Sequence, residues 1–296
     1  MRTLISTSLM LAVLATSAFA ARKAAADDKQ LQDEVRKVEA AMPAKAPAEP
    51  KKARKLLVYS LAKGFVHDSI PLGGKTFALM GRKTGAFQVT ETVDPAVFTP
   101  AKLAEFDAVM MNNTTGDCLP TRQQQQALVD FVKGGKGIAG IHSATDALYG
   151  CAQYGEMMGG YFNGHPFGQI TVKLDDPSSP INAAFGGKGF DISDEIYTFR
   201  APYSREKLHV LFSIDVPKSK SVQGVLEKSP QKHWQNRPDD DFAISWIHQY
   251  GQGRVFYCAL GHWHQSFWNP AVLQHWLAGL QFALGDLDAD ATPSAK

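Results

Sequence analysis

The chain has 296 residues, 44% of them hydrophobic and 20% charged, a globular composition with length for one large domain or two small ones. Its formal net charge of +2 removes any bulk electrostatic reason to expect nucleic acid or anionic lipid as a partner. Three cysteines, Cys118, Cys151 and Cys258, allow at most one internal bridge and form neither a CxxC nor a Cys/His zinc spacing.

Residues 1–20 read as a secretory signal peptide. Arg2 precedes the apolar stretch Leu9 to Ala15, and Ala18-Phe19-Ala20 has the small-x-small form of a cleavage site. The stretch is shorter than the ~20 residues that span a bilayer, and no later segment is apolar enough to do so. The mature protein is therefore expected to be periplasmic or secreted, with no membrane attachment after cleavage, in a compartment that permits disulfides.

Residues 21–54 are rich in Ala, Lys, Glu and Pro. They predict a flexible leader, with one helix over Asp28 to Met42 and then the spaced prolines Pro43, Pro47 and Pro50. The core begins at Lys55. "KLLVYSL", "AFQVTET", "FDAVMMNN" and "GKGIAGIH" predict four strands, the first with nothing polar at its centre. Between the last two lies a helix over Thr121 to Lys133, with Thr121 as N-cap and Gly134 just past its end. Apolar strands alternating with helices predict an α/β fold, a mostly parallel sheet with helices on both faces. From residue 168 the pattern changes: "QITVKL", "FDISDEIYTF", "LHVLFSI", "FAISWIHQ" and "RVFYCAL" are strand-like with few helices between, an added antiparallel segment. Residues 217–241 are polar and read as a surface loop. "NPAVLQHWLAGLQFALG" is a final helix with Asn269 as N-cap, Pro270 at its first position and Gly285 as its stop. Residues 286–296 are expected to be a disordered tail, which leaves a domain over 55–285.

An open parallel sheet binds ligands beyond the carboxyl ends of its strands. That rule selects four loops, all polar or histidine-bearing. After the first strand come His67 and Asp68. After the third, "MNNTTGDC" offers Asn112, Thr114 and Thr115, which are turn formers and also suit hydroxyl-rich ligands. After the fourth, "GIHSATD" places His142 at a tight elbow, followed by Ser143 and Asp146. His142 is fit to be a general base, a ligand orienter or a metal ligand. Ser143 lies one residue past the elbow, and the G-x-S-x-G pattern of serine hydrolases is absent. After the last strand, "LGHWHQSFWNP" brings His262 and His264 among aromatic residues. Outside these loops, His165 sits between Gly164 and Pro166, and "SDEIYTF" sets Glu195 and Tyr197 on one face of a strand with Asp194 on the other.

Together these blocks resemble the ThuA-like (trehalose utilisation) domain, of the class I glutamine amidotransferase-like fold. The likeness runs through "FVHDSIP", "NNTTGD", "GGKGIAGIHSATD", "YGEMMGGYFNGHP", "DEIYTF" and "GQGRVFYCALGH". It implies a flavodoxin-like sheet whose fourth strand ends at an elbow that carries a catalytic cysteine in true amidotransferases. His142 stands there instead, so thiolate acyl transfer from the elbow is not expected. The implied chemistry is acid–base or metal-assisted processing of a disaccharide or oxidised (keto) sugar by a hydrolase, lyase or isomerase. His142, His262 and Glu195 are the catalytic candidates. His67, Asp68, Asn112, Thr115, Ser143, Asp146, Tyr197 and His264 are expected to contact substrate, and His142, His165 and His262 to hold a divalent metal ion. A non-catalytic carbohydrate-binding protein with the same pocket is the alternative, and a cysteine-dependent amidohydrolase ranks last. The expected partner is a small-molecule carbohydrate, with a homo-oligomer open. Cys118 and Cys151 are expected to pair across neighbouring loops, with Cys258 a buried free thiol.

Overall fold

The structure, a computed structural model, describes residues 26–165, 167–220, 222 and 240–294. The expected signal peptide and most of residues 217–241, expected to be a surface loop, lie outside these residues.

Four strands, β1 (Lys55–Tyr59), β2 (Gln88–Thr92), β3 (Ala108–Asn112) and β4 (Gly137–Ile141), pair in parallel in the order β2-β1-β3-β4. β3 and β4 are buried along their whole length, as apolar runs covered on both faces should be. β5 (Tyr161–Phe162) pairs with β8 (Phe199–Arg200) in a separate ribbon. The main sheet continues through β6 (Phe167–Leu174), β7 (Phe190–Glu195), β9 (His209–Ile214), β10 (Ala243–Tyr250) and β11 (Gly253–Cys258). β11 returns to lie parallel against β4, completing the five-strand order β2-β1-β3-β4-β11 of a flavodoxin-like sheet. β10, β9, β6 and β7 extend it with antiparallel pairings to nine strands, so the expected antiparallel segment joins the sheet.

The helices obey the local signals. α1 spans residues 26–41. α2 (Ile70–Thr84) stops at Gly85, whose φ of 70° suits a residue without Cβ. After the short α3 (Pro100–Leu103), α4 (Arg122–Lys133) opens on a capping box between Thr121 and Gln124. α5 (Ala152–Met158) precedes Gly159, and α6 (Pro270–Leu284) is capped by the Asn269 side chain. Among the described residues no helix is long and apolar enough to cross a membrane.

Three expectations need correction. The leader is built into the fold from residue 26: Val38 of α1 and Met42 just after it are buried, and Lys83 of α2 donates to the Glu39 and Met42 carbonyls. The tail is also anchored through residue 294, where Ser294 accepts from the Val210 amide at 2.9 Å and donates its own amide to Leu208 O. Arg54 and Asp286, the residues just outside the expected domain, form a buried ion pair, Nε lying 2.9 and 3.0 Å from the two carboxylate oxygens. Finally, Cys118 and Cys151 are free thiols. Their loops are neighbours, with Gly116 bridged to Ala147. Cys118, however, turns into the core, where burial pushes its thiol up to about 12, while Cys151 heads α5. Cys258 is buried and free, as expected.

Candidate metal centre and active site

All four selected loops meet at the carboxyl end of the parallel strands. His142 begins the turn after β4 with φ 44°, a left-handed conformation that is costly for a residue with a Cβ. That turn aims the imidazole inward, and the ring is fully buried. Its Nδ1–H donates to the Ala259 carbonyl at 3.0 Å, since a carbonyl can only accept. A neutral His142 therefore presents a bare Nε2 to the centre of the cluster.

Three groups converge on that nitrogen. His67 Nε2 and His262 Nδ1 each lie 3.2 Å away, and Glu195 Oε2 lies 3.3 Å away. Glu195 Oε2 is also 3.0 Å from His262 Nδ1. One ligand atom from each of the four residues falls within 4.8 Å of the others. Burial acts to raise the Glu195 carboxyl, but hydrogen bonds to His142 and His262 outweigh it and hold the group well below the usual carboxylate range. Burial lowers His67 and its two histidine neighbours lower it further, to about 3. Burial also opposes charge on His262, yet Glu195 wins and raises it.

This donor set fits a divalent ion. Three imidazoles and one carboxylate are the ligand types zinc takes, and at bonds of about 2.0–2.1 Å the edges of a tetrahedron are roughly 3.3–3.4 Å. Four of the six edges, at 3.0–3.3 Å, are close to that, and all six lie within 4.8 Å. Outer groups orient the donors, as metal sites require. Ala259 O fixes His142, Ser143 Oγ lies 3.3 Å from His67 Nδ1, and His165 Nε2 lies 3.1 Å from Glu195 Oε1.

His67, expected to contact substrate, lies in the cluster, while His165, expected as a metal ligand, meets the far oxygen of Glu195. The loop after β1 carries His67 inward because Thr115 Oγ1 binds both Gly64 N and Phe65 O. Thr115 and Asn112 are accordingly builders of the scaffold. Asn112 is fully buried and donates to Ser60 Oγ and Ile70 O, away from the cluster, because its strand position points it at α2. Tyr197 is buried against the His142 ring, with centroids 4.3 Å apart. Asp146 accepts from Tyr149 Oη beside the site, and burial raises its carboxyl. His264 points away from the cluster, between Glu34 Oε2 at 2.8 Å and Asp68 Oδ1 at 3.3 Å.

Two residues that matter for geometry had no such expectation. Asp194, buried at the end of β7, accepts from Gly261 N, Trp263 N and Ser266 Oγ, and so holds the loop that carries His262. Asn113, at φ 51°, donates to Ser69 Oγ and Gly261 O and faces Ser143 N, tying the loops after β1, β3, β4 and β11 together. The only sequence signals were an acidic pair ending a strand and a second asparagine in a turn.

The family model described as trehalose utilisation, ThuA, matches residues 55–283. No curated protein matches the chain. Among solved structures, a protein described as ThuA-like from Bacteroides uniformis superposes with a TM-score of 0.63 at 20% identity, over 84% of this chain and 99% of its own. Another described as ThuA-like, from Parabacteroides merdae, gives 0.58 at 15% identity, over 81% and 93%. A cytoplasmic protein from Salmonella typhimurium gives 0.51 at 12% identity, over 78% and 98%. At these identities the likeness is one of fold.

Proposed function

This chain belongs to the ThuA, trehalose-utilisation family, and we propose that it is an exported enzyme that binds one divalent cation and processes a disaccharide or oxidised sugar. The observation that carries the reading is the convergence of His67, His142, His262 and Glu195 on one point, each with its other face oriented by a separate partner or loop. Those four residues would hold the ion. A bound divalent ion supplies Lewis acidity toward a carbonyl or hydroxyl oxygen of the sugar. His165 reaches Glu195 from the less buried side, with its side chain 29% exposed, and is the imidazole best placed to move a proton at a substrate oxygen. Tyr197 backs the His142 ring and fixes its plane. Neither Cys118 nor Cys258 enters this chemistry: both are buried with raised thiol pKa values, and an acyl-transfer nucleophile must ionise.

The test is metal analysis of purified protein before and after chelation, with turnover of trehalose and of a keto-disaccharide measured on both forms. About one equivalent of metal and chelator-sensitive turnover support the reading. Binding without turnover would make the protein a sugar receptor, and a chain that takes up no divalent ion would end it. Export rests on Arg2, the apolar run and Ala18-Phe19-Ala20. The mature N-terminus should then lie near Ala21 in a periplasmic or culture fraction, whereas an intact Met1 on soluble cytoplasmic protein would refute it.

A further inference from the structure

We propose that α1, residues 26–41, is the specificity wall of the site and holds the distal ring of a two-ring saccharide. The proposal rests on the sugar-binding reading above. The helix lies outside the residues matched by the family model, 55–283, so it is an addition to the machinery those residues build. It uses two adjacent stripes. Leu31, Val35, Val38 and Met42 recur at helical spacing and pack on the core. Gln30, Glu34 and Lys37, one stripe over, line an open groove of about 630 Å³.

The same groove is lined by the loop after β11, including His262 of the cluster and its neighbour Trp263. The groove therefore starts at the proposed reaction centre and ends on α1. Its volume lies in the range of small-molecule sites, about 300–1,000 Å³. Gln30 to Lys37 covers roughly 10 Å of helix at ~1.5 Å per residue, longer than one sugar ring. The lining suits a polyol: amide, ammonium and carboxylate groups to exchange hydrogen bonds with hydroxyls, and a flat apolar surface for a ring face. Glu34 is held for this task. Its Oε2 accepts from His264 Nδ1 at 2.8 Å and its Oε1 from Gln30 Nε2 at 3.1 Å, which fixes the carboxylate of this lining residue. Lys37 lies over the Trp268 ring, 4.6 Å from its centroid, so its ammonium is also positioned.

The experiment is calorimetric titration of the mature chain, at measured metal loading, with trehalose, maltose and glucose. The expected result is a Kd at least tenfold lower for one or both disaccharides than for glucose. Gln30→Ala and Lys37→Ala, both at exposed positions, should raise the disaccharide Kd fivefold or more, leaving glucose binding within twofold and metal content unchanged. Glu34→Gln should do the same, and its melting temperature reports any loss of packing. Equal affinity for one and two rings, no sugar binding at all, or unaltered disaccharide affinity in the exposed variants would overturn the proposal. A wild-type chain that holds no metal yet shows the expected sugar pattern would sink the metal reading and leave the wall standing.

Discussion

His142 shows how much one residue's backbone can say. A non-glycine residue at φ 44° carries about 1–3 kcal/mol of local strain, and it is tolerated here where its ring meets three other donors. The elbow was legible in "GKGIAGIH", because a buried apolar strand that ends abruptly must turn. That His262 meets His142 was legible from the loops they occupy, but that His67 joins them was not, since membership depends on which ring nitrogen points where. The sequence reading places His165 with His142 and His262 at the metal, and His67 at the substrate. The geometry puts His67 Nε2 beside His142 Nε2 and leaves His165 on the outer oxygen of Glu195. The two assignments separate cleanly. Loss of an outer partner costs roughly 10–100-fold in metal affinity, and loss of a direct ligand costs more. Competition with a chromophoric chelator should therefore show His67→Ala and His142→Ala weaker than His165→Ala by at least a further factor of ten. Equal losses for His67→Ala and His165→Ala would restore the original assignment.

At the scale of elements, the ends of the domain were misread for a physical reason. Ala-, Lys- and Pro-rich composition signals a tether, but composition does not reveal a single buried contact. Two such contacts suffice here: the Val38 stripe of α1, and the pairing of Arg54 with Asp286. Asp286 has no exposed side-chain area, and Arg54 has only 10%. Removing one partner of a buried pair leaves an uncompensated charge, typically a loss of 3–5 kcal/mol. Arg54→Ala should lower unfolding free energy in urea by about that much, and pairing it with Asp286→Leu should recover a large part. A loss below about 1 kcal/mol in Arg54→Ala would mean that the junction is not part of the cooperative unit. The helix stops and caps, by contrast, were readable because Thr121, Asn269 and Gly285 act through neighbours within four residues.

The whole molecule obeys the same division between local and distant information. That β1, β3 and β4 form a parallel sheet was legible from their apolar runs, whereas the return of β11 beside β4 was not, and Glu195 reaches the cluster from β7, at the far end of the nine-strand order. No periodicity predicts that meeting. A similar long-range burial governs acid stability. His275 lies fully buried on α6, with Nε2 2.9 Å from Ser245 Oγ and Nδ1 3.1 Å from Ile181 O. Burial pushes it down to about 3, against a smaller opposing contribution from the Ile181 carbonyl. The unfolded chain protonates this histidine near its ordinary value of about 6.5, so between that pH and about 3 the unfolded state binds one more proton than the folded state. Stability from His275 is thus full above about pH 6.5 and falls as pH drops, by about 1.4 kcal/mol per unit for the single proton. His275→Gln should be less stable at neutral pH, having lost shape and hydrogen bonds, but its stability should decline less steeply with acid. Urea unfolding between pH 7 and 4.5, with chelator present in both proteins to remove metal linkage, compares the slopes above the range where carboxylates dominate. A variant slope shallower than wild type by close to one proton is the expected outcome, and parallel curves would show that His275 titrates normally in the fold.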